Sequence, residues 1–230
     1  MHTVINDDCR AVLQRSGNHH HLVLTDPPYA ISNKRNTGDS SKKFSGYNSD
    51  KGDWDIIVPP EEWVPLACSA LSDGGVFACF GYFEVLIGVY QALQKQGMRF
   101  QSVLNWHKTN PAPCIHRRML THSNEFVLVF SKGKKWYFDY AFSKTLNNGK
   151  QKHNHWNGPV AQKEAGVTAK PLWLCEDIIG LFCPPDGVVL DCFGGSGTIA
   201  KAAQNTNRRS VSIEIDAGRS SYIKKRLGVG

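Results

Sequence analysis

Asp26-Pro27-Pro28-Tyr29 sets a carboxylate, two prolines and a phenol ring in consecutive positions. Each proline lacks an N–H and restricts the residue before it, so neither a strand nor a helix continues through the stretch. The result is a stiff, extended loop whose carboxylate and carbonyls are left for a ligand, with an aromatic ring beside them. That set suits a flat, hydrogen-bonding molecule such as a nucleobase. A proline turn with a capping Asp and a packed Tyr would use the same letters, so context has to decide.

Asp191-Cys192-Phe193-Gly194-Gly195-Ser196-Gly197-Thr198 is the second stretch with chemistry in it. Glycines let a turn tighten and a ligand approach the backbone, and the start of a following helix offers unpaired N–H groups to an anion. A phosphate-gripping P-loop would need a lysine after its last glycine, and Thr198 and Ile199 stand there instead. A nicotinamide fingerprint is a rival. Further on, Glu214 falls where an acidic residue would hold ribose hydroxyls. Strand, glycine loop, helix, strand and acid together indicate a nucleoside-bearing cofactor.

The elements around these stretches alternate. Leu22-Val23-Leu24 is a short apolar run suited to a buried strand that delivers Asp26. Thr3 to Asn6 suggests an opening strand, with a helix through Arg10 to Leu13. Trp54 to Asp73 suggests a helix, with Pro59-Pro60 ahead of Glu61-Glu62. Val76 to Phe80 predicts a buried strand, Glu84 to Gln96 a helix ended by Gly97, and Phe100 to Trp106 with Glu125 to Phe130 two more strands. Trp136-Tyr137-Phe138 and Tyr140 suggest a small strand, and Thr168 to Phe182 a helix entered through Lys170-Pro171. Val188 to Asp191, Ile199 to Gln204, Ser210 to Ile215 and a basic last helix complete the pattern. The long polar stretch 30 to 53 is a loop of a length usually tied to function or disorder. Strands alternating with helices imply an α/β fold around a mostly parallel sheet.

Composition narrows the class. The 230 residues suffice for one large α/β domain, and 41% hydrophobic with 20% charged residues argues against global disorder. A net charge of +7 favours an anionic partner, nucleic acid first. The seven cysteines contain no C-x-x-C pair, which suits reduced thiols in a cytoplasmic protein. No stretch has the length of a membrane span, and the first residues do not form a signal peptide, so a soluble protein is expected.

Read together, the two stretches resemble the S-adenosylmethionine-dependent amino-methyltransferases of DNA. Their order, tetrapeptide first and cofactor loop near the end, resembles the beta group, a circular permutation of the Rossmann-like methyltransferase fold. The resemblance extends to Trp54-Asp55, Asp73-Gly74-Gly75, Trp106 to Asn110, His122 to Glu125 and Thr168-Ala169-Lys170-Pro171. One departure stands out: the family usually has His-Pro ahead of Thr-x-Lys-Pro, where this chain has Gly166-Val167.

The resemblance implies S-adenosylmethionine as cofactor and DNA as partner, and it leaves a homodimer open. It implies that Asp26 and the Pro27 carbonyl accept the hydrogens of a target amino group, and that Tyr29 stacks on the base beside Pro28. An adenine N6 is favoured over a cytosine N4, because Ser in place of Asp26 is the commoner family pattern for cytosine. A non-catalytic nucleic-acid-binding module on the same fold is the rival from another class. For the cofactor, the resemblance implies Asp8 near the adenine, Thr168 and Lys170 near the methionine end, and Glu214 at the ribose, with Asp216 weaker. The loop contributes Asp191, Phe193, Gly195, Ser196, Gly197 and Thr198.

Lys108, Asn110, Arg117, Arg118, Lys150 and Lys152 are candidates for meeting DNA, the lysines of 132–166 at phosphates and Asn147, Asn148, Gln151 and Asn154 at base edges. The chain then divides into a catalytic part (1–131), a target-recognition segment (132–166) and a cofactor-binding part (167–230). His19-His20-His21 has the look of a solvated loop, and neither it nor Cys114 with His116 and His122 has metal-ligand spacing, so no metal is expected.

Overall fold

Two apolar faces are written into the strand that delivers Asp26: Leu22 and Leu24 point to one side, Val23 to the other, and all three are fully buried. Side chains alternate across a strand, so three consecutive apolar residues must be covered on both faces. The computed structural model, which describes residues 1–28, 58–114, 117–118, 120–161, 163–164 and 167–230, supplies those covers. In its first half the chain forms β1 (His2–Asn6), α1 (Cys9–Gln14), β2 (His20–Thr25), α2 (Pro60–Ala70), β3 (Leu71–Gly81) and α3 (Phe83–Lys95). β4 (Arg99–Lys108), β5 (Asn124–Ser131), α4 (Tyr140–Thr145) and β6 (His155–Gly158) follow. Then come β7 (Lys163–Glu164), β8 (Val167–Thr168), α5 (Leu172–Phe182), β9 (Val188–Asp191), α6 (Thr198–Asn205), β10 (Arg209–Glu214) and α7 (Ala217–Leu227).

Eight strands make one sheet in the order β1-β10-β9-β2-β3-β5-β4-β6, while β7 and β8 pair separately. Within the large sheet β5 runs against the other strands, so the expected mostly parallel α/β sheet is present. Residues of α1, α2 and α3 cover one face with Leu13, Trp63, Leu86, Val89 and Leu93, against Val23, Phe77, Cys79 and Leu190. Residues of α5 and α6 cover the other with Leu174, Ile178, Ile199 and Ala203, against Leu24, Ala78, Phe80 and Val189. All seven cysteines are free thiols, and all but Cys114 are buried. Among the described residues no helix is long and apolar enough to cross a membrane.

Several boundaries differ from the sequence reading, each for a packing reason. The helix expected to reach Asp73 ends at Ala70, because Leu71 pairs with His20 and Ser72 Oγ donates to the His20 carbonyl at 3.0 Å. His20 is a buried strand residue whose Nδ1 lies 3.0 Å from the Ala70 carbonyl, and His21 Nδ1 accepts from Val188 N at 3.2 Å. Trp136 and Phe138 form no strand: both turn inward onto Phe182, and Asp139 then caps α4 through the Phe142 N–H at 2.8 Å. Helix α5 starts only after Pro171, with Thr168 already in β8.

Candidate active site

Strands β9 and β2 lie side by side at the centre, and the winding reverses there. From β2 the chain crosses to β3 through α2 on one face; from β9 it crosses to β10 through α6 on the other. Open α/β sheets bind ligands at the carboxyl ends of strands at such a switch point. Asp26 follows the end of β2, Asp191 ends β9, and Glu214 ends β10. Asp8 follows β1, whose Asn6 is in register with Glu214. Residues distant in sequence thus meet at one edge.

Thr25 stitches the two central strands together. Its hydroxyl donates to Asp191 Oδ1 at 3.1 Å and accepts from the Cys192 N–H at 3.2 Å. The Phe193 N–H also donates to Asp191 Oδ1, at 3.2 Å. Asp191 Oδ2 is buried with no hydrogen-bond partner among the described residues. Burial pushes this carboxyl up to about 7, against the hydrogen bonds from Phe193 and Thr25 that act to lower it. A buried acceptor without a donor marks a place where a ligand's cation or N–H fits.

The glycine loop leads into α6 through Gly197, which has φ +74 in the left-handed region and would set a Cβ 3.0 Å from Ile223. Glycine is required there on both counts. Glu214 accepts from the Gly195 N–H at 2.7 Å and from the Asp216 N–H at 2.9 Å, so it holds the loop and the turn after β10. Ser196 and Thr198 hydroxyls are 2.9 Å apart and buried, and Arg226 donates to the Ser196 carbonyl at 2.8 Å. Phe193 packs edge-on against Trp63 at 5.1 Å. Asp216 caps α7 through the Arg219 N–H at 2.7 Å, which leaves Glu214, of the two, as the buried acid at the end of β10. Glycine loop, buried acid and unpartnered Asp191 oxygen fit a nucleoside cofactor whose tail carries an ammonium group.

At the catalytic end the structure holds a chain of alternating charges. Lys170 Nζ lies 2.8 Å from Asp26 Oδ2 and 2.7 Å from Glu125 Oε1, and Lys108 Nζ lies 2.9 Å from Glu125 Oε2. Lys170, Glu125 and Lys108 are buried, and Asp26 is about a quarter exposed (24%). For Lys170 burial works against the ammonium, but Asp26 and Glu125 outweigh it and its pKa is raised. For Glu125 burial works against the carboxylate, and Lys170 with Lys108 hold it below the usual range.

The other expected residues fall in different places. Asp8 caps α1 and pairs with Arg10 at 2.6 Å, an interaction that holds its carboxyl below the usual range. Lys108 was expected at DNA; its ammonium is instead inside, on Glu125 and over the Tyr82 and Trp106 rings. Asn110 Oδ1 accepts from the Val160 N–H at 2.8 Å and so ties the loop after β4 to the one after β6. Arg117 and Arg118 are exposed in the loop at the site end. Lys150 and Lys152 lie before β6, beside the first half of β4, and are not brought to that end. Lys152 folds back onto the His155 carbonyl and the Trp156 ring, and burial lowers its pKa. Tyr29, the 30–53 stretch, Trp54-Asp55 and His116 lie outside the described residues.

Comparison with known proteins agrees with this arrangement. The sequence profile of the DNA methylase family matches residues 20–225, and the chain belongs to that family. It is 34% identical over 221 residues to the type II methyltransferase M2.DpnII of Streptococcus pneumoniae, covering 90% of this chain and 81% of that one. It is also 34% identical to M2.LlaDCHI of Lactococcus lactis subsp. cremoris, covering 91% of this chain and 82% of the relative. Among solved structures, M1.HpyAVI in complex with SAM superposes with a TM-score of 0.73 at 21% identity, over the whole of both chains.

Proposed function

We propose that this DNA methylase transfers the methyl group of S-adenosylmethionine to the exocyclic N6 of an adenine turned out of the DNA duplex. The observation that carries the reading is the Thr25 bridge, which fixes Asp26 and the glycine loop side by side at the switch point. When bound, S-adenosylmethionine supplies an electrophilic methyl group on a sulfonium. Everything else falls to the chain. Asp191 Oδ2 takes the cofactor's ammonium, Glu214 its ribose hydroxyls, and the loop amides with Ser196 and Thr198 its carboxylate. Phe193 packs beside it.

An adenine amino nitrogen is a poor nucleophile because its lone pair is delocalised into the ring. Asp26 and the Pro27 carbonyl accept its two hydrogens and favour a pyramidal nitrogen with the lone pair aimed at the methyl group. That is preorganised electrostatic stabilisation of a nitrogen becoming positive. Tyr29 stacks on the extruded base, since the reacting atom is out of reach inside the duplex.

The order of the motifs along the chain supports reading the fold as circularly permuted. Placement at the site end favours the loop after β4, with Arg117 and Arg118, and the part of 132–166 after β6 as the DNA-reading surface. Lys150 then serves DNA backbone further along. The free, mostly buried thiols support a cytoplasmic location for the enzyme. The test is methyl transfer from tritium-labelled cofactor to DNA, followed by digestion to nucleosides. N6-methyladenine is the expected product; N4-methylcytosine would correct the base, and an unlabelled digest would refute the activity.

A further inference from the structure

The buried charge chain extends well past the group that touches the target. Lys170 is 2.8 Å from Asp26, Glu125 bridges Lys170 and Lys108, and the three sit on different elements: the approach to α5, the start of β5 and the end of β4. A nitrogen that takes a methyl group gains positive charge, so the field around it should be negative. Asp26 supplies that field. Lys170, immediately behind Asp26, opposes it, and because the ammonium is buried, solvent screens this opposition only from the Asp26 side. The next charge in line is Glu125.

We propose that Glu125 is a positioning residue for methyl transfer: by bridging Lys170 and Lys108 it offsets the Lys170 charge and leaves Asp26 presenting a net negative potential to the target amino group. Lys108 in turn keeps Glu125 ionised in its buried position. Lys170 has the second task of fixing the Asp26 carboxylate against rotation. The inference rests on the methyl-transfer reading above.

Several groups face the Lys170 ammonium. Asp26 and Glu125 are carboxylates, and Cys79 from β3 with Cys175 from α5 are buried thiols whose pKa values burial raises. Those thiols stay neutral, so loss of Glu125 takes away one of the two carboxylates that Lys170 meets among the described residues. The ammonium then loses a proton more easily than in the wild type. Neutral Lys170 no longer cancels Asp26, and transfer should recover as pH rises.

The experiment compares the wild type, Glu125→Gln, and the double variant Glu125→Gln with Lys108→Met, which removes one charge of each sign and keeps the cluster neutral. Single-turnover methylation, cofactor affinity by calorimetry and nitrogen NMR of the lysine Nζ are followed against pH. Glu125→Gln should lose roughly 100-fold to 1,000-fold in rate near neutrality, with cofactor affinity within about threefold. Its rate should climb with pH at the midpoint of the Lys170 Nζ titration, while the wild type stays flat there. The double variant should fold with wild-type stability and keep the defect.

Recovery of rate in the double variant would overturn the inference. So would a loss in Glu125→Gln that does not change with pH, or a loss of cofactor affinity equal to the loss of rate. Absence of transfer by the wild type would sink the functional reading and this inference with it; failure of the inference alone shows against an active wild type.

Discussion

Asp191→Asn tests the cofactor half of the site, and its effect can be worked from the structure. Asn keeps the Oδ1 acceptor for Thr25 and Phe193 and has nearly the same shape, so the change removes the titrating charge and puts an amide NH2 in place of Oδ2. A carboxyl raised to about 7 by burial binds its proton more tightly folded than unfolded. Stability of the cofactor-free wild type therefore falls as pH climbs from the ordinary aspartate value of 3.8 to about 7 and levels off above that. Linkage over this interval makes Asp191→Asn more stable than wild type by about 3 kcal/mol more at pH ~8 than at pH ~4.5. Denaturant unfolding at the two pH values measures the difference. Cofactor binding runs the other way. An ammonium against Oδ2 needs the ionised acid, so wild-type affinity should rise up to tenfold per pH unit below about 7 and then flatten. Asp191→Asn should bind weakly with no such rise. Equal pH dependence of stability in the two proteins would refute the buried charge, and equal pH dependence of cofactor affinity would refute the ammonium contact.

Three further outcomes follow from the site. Asp26→Ala should abolish methyl transfer while cofactor affinity by calorimetry changes little, because the cofactor's anchors lie on β9, β10 and their loops. Glu214→Ala should weaken cofactor binding by roughly 1.5–3 kcal/mol, the range for charged hydrogen bonds, and should also loosen the loop by leaving the Gly195 and Asp216 N–H groups without their acceptor. Unchanged affinity would remove Glu214 from the ribose. Arg117→Ala with Arg118→Ala should lower DNA affinity on every sequence and reduce the salt slope by roughly two, leaving the methylated site unchanged; a changed site would make these arginines base readers.

Much of the edge was legible because its signals are local. Prolines after a buried strand mark the Asp26 loop, and glycines between strand and helix mark the cofactor loop. Glu214 follows from its place at the end of the next strand. The charge chain had no such signal. Lys170, Glu125 and Lys108 meet only when three separate elements converge, and no spacing records their pairing. For the same reason composition assigned Lys108 to DNA: a count of lysines does not reveal which ammonium is turned inward. Trp136 and Phe138 alternate like strand residues, but Phe182 takes both rings and no neighbouring strand pairs with them. The histidine run misled through its polarity, since His20 is buried beside a backbone carbonyl that only the folded sheet supplies.

The order of strands in the sheet also governs how the chain can be assembled on the ribosome. β2 leaves the exit tunnel early, but its neighbour on one side is β9, and Thr25 waits for Asp191, 166 residues later. β1 waits longer: its partner is β10, and Asn6 reaches Glu214 across 208 residues. Until β9 and β10 are synthesised, β1 and one side of β2 present unpaired backbone, and long-range parallel pairing of this kind forms slowly. A nascent chain halted before Val188 therefore exposes an open central strand with Leu22, Val23 and Leu24 at its middle, a template for association with other chains. Both halves of the binding edge should come into being in one late step, with cofactor binding appearing in pulse-labelled chains only after β10 has emerged.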